Sequence, residues 1–140
     1  MSGPATPASL PVLHAVFDRF WATIDREATV HPTAEQRARF ATATIEIGGN
    51  IIRHAYAEDA PGPLMLVLRA WPDRLEAAFT DHGRPYEPRP VPPRVPLDEV
   101  QIAQLPEGGF GLALARDALD ALDYARTPDG LNRWLLISHL

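Results

Sequence analysis

The stretch Thr33 to Tyr56, TAEQRARFATATIEIGGNIIRHAY, decides how the chain is read. Thr33 follows Pro32 and stands three residues before Gln36, the spacing of a capping box, so a helix is predicted to begin there. Phe40, Thr44, Ile47, Ile51 and Ala55 recur at steps of three and four, with Ala41, Ile45, Gly48 and Ile52 alongside, which makes a wide apolar stripe. Glu46, Asn50 and Arg53 fall one turn apart on a single side, in the order acid, amide, cation. A surface helix with a polar edge would carry the same types. Gly48 and Gly49 between them each cost a helix interior roughly 1 kcal/mol against alanine, so two in succession call for close approach of another backbone or a ligand.

Outward from this helix, Ser9 and Pro11 open an earlier one. Leu10, Leu13, Val16, Phe17, Phe20, Trp21 and Ile24 keep helical spacing to about Glu27. Residues 1 to 9 show no periodicity and are expected to be a flexible arm. After the Pro61-Gly62-Pro63 break, Leu64–Ala70 and Arg74–Thr80 form short apolar or alternating runs joined by Trp71, Pro72 and Asp73, the pattern of a β-hairpin. Six prolines between 85 and 96 then exclude helix or central strand from Arg84 to Pro96, which reads as a long binding loop or a surface insertion, with a helical turn expected around Leu97 to Leu105. Gly108, Gly109 and Gly111 lead into an apolar helix containing Leu112, Ala115, Leu119 and Leu122. Leu122 to Arg126 and Arg133 to Ser138 are strand candidates around a TPDG turn.

The chain of 140 residues is sized for one domain, residues 10–140, able to bury a proper core. A net charge of -5, from 13 basic and 18 acidic residues, argues against a general nucleic-acid or anionic-membrane surface. The lack of cysteine removes disulfides and thiolate metal sites and fits a cytoplasmic protein. No apolar run approaches the length of a membrane span, and the N-terminus has no signal-peptide pattern. His14, His31, His82 and His139 show no helical metal-binding pair, and no G-x-S-x-G nucleophile motif occurs.

Two further motifs carry possible chemistry. A glycine-rich turn entering a helix presents free amides and the positive end of the helix dipole, which suits phosphate, although helix capping alone would also use glycine. Asp81 and Gly83 stand where a predicted strand gives way to loop. A carboxylate there can accept from an exocyclic amine, with glycine leaving room for a flat ring; a simple Asx turn would use the same pair.

In this order, Glu46 and Asn50, then Asp81 and Gly83, then Gly108, Gly109, Phe110, Gly111 and Leu112 resemble the N, G1 and G2 boxes of the Bergerat-fold (GHKL) ATPases. That superfamily includes gyrase, histidine-kinase catalytic domains and anti-sigma-factor serine kinases. EIGGNIIRHAY, TDHGRPYEP and LPEGGFGLALAR are most similar to the last group. The resemblance implies an α+β, two-layer α/β sandwich whose sheet is mostly antiparallel with helices on one face. About four strands are expected, because residues 1 to 9 match the family's opening edge strand poorly.

It also implies an ATP- and Mg²⁺-dependent serine/threonine protein kinase acting as an anti-sigma regulatory factor. Glu46 would be the catalytic base and Asn50 the Mg²⁺ ligand, with Arg53 and His54 near phosphate. Asp81 and Gly83 would hold adenine, and Gly108, Gly109, Gly111 and Leu112 would close over the phosphates, with 84–107 as the ATP lid. The implied partners are a small STAS-type anti-sigma-factor antagonist and a sigma factor, with a homodimer through the sheet edge. Alternatives are an inactive adaptor of the same fold and a switch kinase that activates a phosphatase.

Overall fold

The computed structural model describes residues 1–57, 59–87 and 110–140. In chain order they form β1 (Ser2–Pro4), a 3-10 turn (Pro7–Ser9), α1 (Leu10–Glu27), α2 (Ala34–His54), β2 (Pro63–Trp71), β3 (Arg74–Asp81), α3 (Phe110–Ala118), β4 (Ala121–Arg126) and β5 (Asn132–His139). The strands make one antiparallel sheet in the order β1-β2-β3-β5-β4.

The sheet has five strands, not four, because the opening residues are not a loose arm. Ser2, Gly3 and Pro4 pair with Met65, Leu64 and Pro63. The Met1 ammonium donates to the Leu66 carbonyl at 2.8 Å, and Leu66 N–H returns a bond to Met1 O at 2.9 Å. Pro4 is tolerated because this is an edge strand. Ser9 also differs from expectation: its hydroxyl donates to the Pro4 carbonyl instead of capping α1, so it ties the 3-10 turn to β1.

α2 starts where its capping box requires. Thr33 N–H donates to Gln36 Oε1 at 2.7 Å, and Gln36 N–H donates to Thr33 Oγ1 at 3.1 Å, satisfying two orphan amides reciprocally. Phe40, Ala43, Thr44, Ile47, Gly48, Ile51 and Ile52 form its buried face. Thr44 avoids an unpaired hydroxyl by donating to Phe40 O at 2.8 Å. α1 docks through aromatic contacts: Phe17 meets Phe40 edge-on at 6.0 Å, and Trp21 meets it at 6.3 Å. Arg37 lies over the Trp21 ring at 5.3 Å and pairs with Asp25, holding that carboxyl below its ordinary range.

Strict alternation in β3 sends Leu75, Ala77, Phe79 and Asp81 to the helix-covered side. Their register partners in β5 are Ser138, Leu136, Trp134 and Asn132, so one face of the sheet carries the core and ends in a polar pair, Asp81 with Asn132. α3 stops at Ala118 rather than running to Leu122, and Leu122 serves β4, pairing with Leu136. Asp120 makes this abrupt change possible. Its N–H donates to Ile137 O at 2.9 Å and its carboxylate accepts from His139 N–H at 2.6 Å.

Candidate functional site

Gly48 is where α2 comes closest to the core. A Cβ on it would stand 2.8 Å from Leu13 Cδ1 and 3.1 Å from Phe79 Cζ, so any side chain there would have to displace the packed ends of Leu13 and Phe79 between α1 and β3. Gly49 serves a different neighbour: its missing Cβ would meet the Arg53 guanidinium at 3.2 Å. Arg53 thus turns back along its own helix over Gly49. That places the cation on the side of Glu46 and Asn50, both half-buried. Arg53 makes no ion pair among the described residues. His54, beside it, is exposed.

The exit of β3 is bound to the end of α2. Gly83 lies so close that a Cβ would stand 2.2 Å from the Ala55 carbonyl oxygen, and Arg84 N–H donates to that oxygen at 2.7 Å. One of the carbonyls orphaned at the α2 C-terminus is satisfied in this way. The space that glycine was expected to leave for a flat ring is, on this side, occupied by the α2 backbone. Tyr56 adds a second tie, since its hydroxyl donates to Pro63 O and accepts from His82 N–H, each at 2.7 Å.

Asp81 is only 2% exposed. Its Oδ1 accepts from Gly83 N–H at 2.9 Å, the Asx turn, and from Asn132 Nδ2 at 2.7 Å. Asn132 is itself 1% exposed and receives Tyr124 Oη–H and Arg126 Nη1, each at 2.7 Å, on its own Oδ1. Tyr86, three residues past Gly83, donates its N–H to Tyr124 Oη at 2.9 Å. Its ring meets Trp134 at 4.9 Å, so the chain leaving the strand is held against β4 and β5. Asn132, Tyr124, Arg126 and Tyr56 were not singled out from sequence. Asn132 follows the TPDG turn and passes there for a turn residue; only its register opposite Asp81 shows its role.

α3 packs against α2, so the helix that the glycine-rich turn enters lies beside the one bearing Glu46 and Asn50. Gly111 and Leu112 belong to its first turn. Gly108, Gly109 and all of the 84–107 stretch beyond residue 87 lie outside the described residues. A shallow groove of about 350 Å³ between α1 and β2, lined by Val16, Phe20 and Leu66 among others, contains none of the candidate residues. Among the described residues no three His, Cys, Asp or Glu side chains cluster as a metal cage. No helix there is long and apolar enough to cross a membrane.

Comparison with known proteins agrees with this architecture. The serine/threonine-protein kinase BtrW of Bordetella bronchiseptica is 33% identical over 110 residues, spanning 76% of this chain and 73% of that protein. The serine-protein kinase RsbW of Bacillus subtilis is 33% identical over 82 residues, spanning 56% of this chain and 50% of that protein. Among solved structures, the histidine kinase domain of a blue-light activated histidine kinase from Erythrobacter litoralis matches in fold, with a TM-score of 0.52 at 16% identity over 90% of this chain and 60% of that one. The family model described as histidine kinase-like ATPase domain matches residues 3–136, and the chain belongs to that family.

Proposed function

We propose that the chain is an ATP-dependent serine/threonine protein kinase of the anti-sigma type. Its substrate would be a serine of a small, STAS-type anti-sigma-factor antagonist, and a sigma factor would be its alternative partner. The observation that carries this is the joint at the exit of β3: a buried carboxylate, Asp81, is fixed there by the turn that Gly83 seats against the end of α2. Two relatives of modest identity that bear protein-kinase names support the same activity.

In this reading Asp81 accepts from the adenine amine, and the phosphates extend toward Asn50, Arg53 and His54 of α2 and the opening of α3, with Gly108, Gly109, Gly111 and Leu112. The donor set suits Mg²⁺ held mainly by phosphates. Asn50 offers a neutral amide oxygen, and magnesium sites of nucleotide enzymes commonly take one or two protein ligands plus phosphate and water. When bound, the ion neutralises phosphate charge. Glu46, one turn before Asn50, takes the proton from the serine hydroxyl. The Oγ–P bond forms as the bridging bond to ADP breaks. Arg53, laid over Gly49, faces the same charge.

The test is transfer of labelled γ-phosphate from ATP to a candidate antagonist. Glu46→Gln is expected to lower transfer by about 100-fold or more while sparing ATP binding, the scale of a lost general base. An unchanged rate removes Glu46 from that role. ATP binding by the wild-type protein without transfer to any serine contradicts the kinase assignment.

A further inference from the structure

We infer that Asn132 is the positioning residue that sets base specificity, by turning Asp81 into a one-oxygen acceptor that favours adenine over guanine. The inference rests on the nucleotide assignment above and deepens it.

Asn132 lies directly across the β3–β5 ladder from Asp81. Its amide orientation is decided by its neighbours. Nδ2 faces only acceptors: Asp81 Oδ1 at 2.7 Å, Arg84 O at 3.1 Å and Gly83 O at 3.2 Å. Oδ1 faces the donors Arg126 Nη1 and Tyr124 Oη–H. A flipped amide would set its oxygen against three other oxygens and its NH₂ against a guanidinium, so the opposite orientation is excluded. Arg126 Nη1 also donates to Gly83 O at 2.9 Å, closing the network around the turn.

Asp81 Oδ1 therefore receives two donors, Asn132 Nδ2 and Gly83 N–H, which fills the lone pairs of one carboxylate oxygen. What Asp81 can offer a base is the remaining oxygen. The guanine edge presents adjacent N1–H and N2–H donors, which pair best with both oxygens of a carboxylate. Adenine presents a single exocyclic amine, which needs one. Burial sharpens the difference, because a guanine donor left unmet in a dry site costs more than the same donor in water.

The experiment is competition binding of Mg-ATP, Mg-GTP and magnesium triphosphate to the full chain, in wild type, Asn132→Ala, Asn132→Ser and Tyr124→Phe, with thermal melts to establish folding. Wild type is expected to prefer ATP over GTP by about tenfold or more, a difference of one good hydrogen bond. Asn132→Ala should shrink that ratio about tenfold and leave triphosphate affinity unchanged. Asn132→Ser, which keeps a donor, should restore part of the ratio. If Asn132→Ala does not fold, Tyr124→Phe, which removes one support of the amide, should shift the ratio the same way by a smaller factor. A folded variant with an unaltered ATP-to-GTP ratio overturns the inference, as does equal weakening of ATP, GTP and triphosphate. A wild-type protein that binds ATP no better than triphosphate overturns the adenine assignment itself, whatever the variants do.

Discussion

At the scale of single residues, the glycines and Tyr56 show how a side chain's role depends on what lies against it. Gly83 was legible from sequence as half of a D-x-G pair. The reason it must be glycine was not, because the Ala55 backbone is 28 positions away and only the fold brings it near. A methyl group 2.2 Å from a carbonyl oxygen cannot be relieved by rotating a side chain. Gly83→Ala should therefore cost about 2–3 kcal/mol, the upper part of the range for overpacking, read as a lower urea midpoint. An unshifted midpoint would show that the joint is loose.

Tyr56 had no sequence signal at all, since a tyrosine closing a helix carries no motif. Burial pushes its phenol above the ordinary value of 10.0; the His82 N–H bond opposes this and the charge of Asp81 adds to it. The unfolded chain ionises first, so the stability it contributes is complete below about pH 10 and is lost as pH rises through the folded value. Tyr56→Phe should cost about 1 kcal/mol at pH 7.5 and flatten the fall in stability above about pH 10. Urea melts across that range check both, and an equally steep fall in the variant would contradict the assignment.

At the scale of elements, α1, α2, the β2–β3 hairpin and β5 were legible because each repeats its apolar residues at its own period or carries a cap. β1 was not. Three residues containing Gly and Pro have no β signature, and the strand exists through its pairing with β2 and the Met1 ammonium. The end of α3 was misjudged for a related reason: Leu122 continues the helical row in sequence, but Asp120 bonds to β5 and turns the chain. The end of α1 offers a simple test. Ala28 takes φ 52 in the left-handed region to close the helix on Ile24 O. Ala28→Gly should raise stability by about 1 kcal/mol, the strain of a Cβ there. A destabilised variant would mean that the alanine methyl contributes packing that outweighs its strain.

At the scale of the molecule, the motif order along the chain was informative and its spatial assembly was only partly so. Glu46, Asn50 and Arg53 share a helix side by simple periodicity, and Asp81 closes a strand by its alternation; both follow from the sequence. The contact between them runs through Gly83, Ala55, Tyr56 and Arg84, and the polar network behind Asp81 runs through Asn132, Tyr124 and Arg126. These are long-range relations that depend on sheet register. The fold thus places the carboxylate that would read the base at one end of β3, and the helix that would handle phosphate immediately beside it.

A crystal structure with Mg²⁺ and a non-hydrolysable ATP analogue tests this most directly. The predicted result is one nucleotide whose adenine amine lies about 3 Å from an Asp81 carboxylate oxygen, with its phosphates between Asn50 of α2 and the N-terminus of α3. A nucleotide bound elsewhere, or one touching α2 without Asp81, would contradict it.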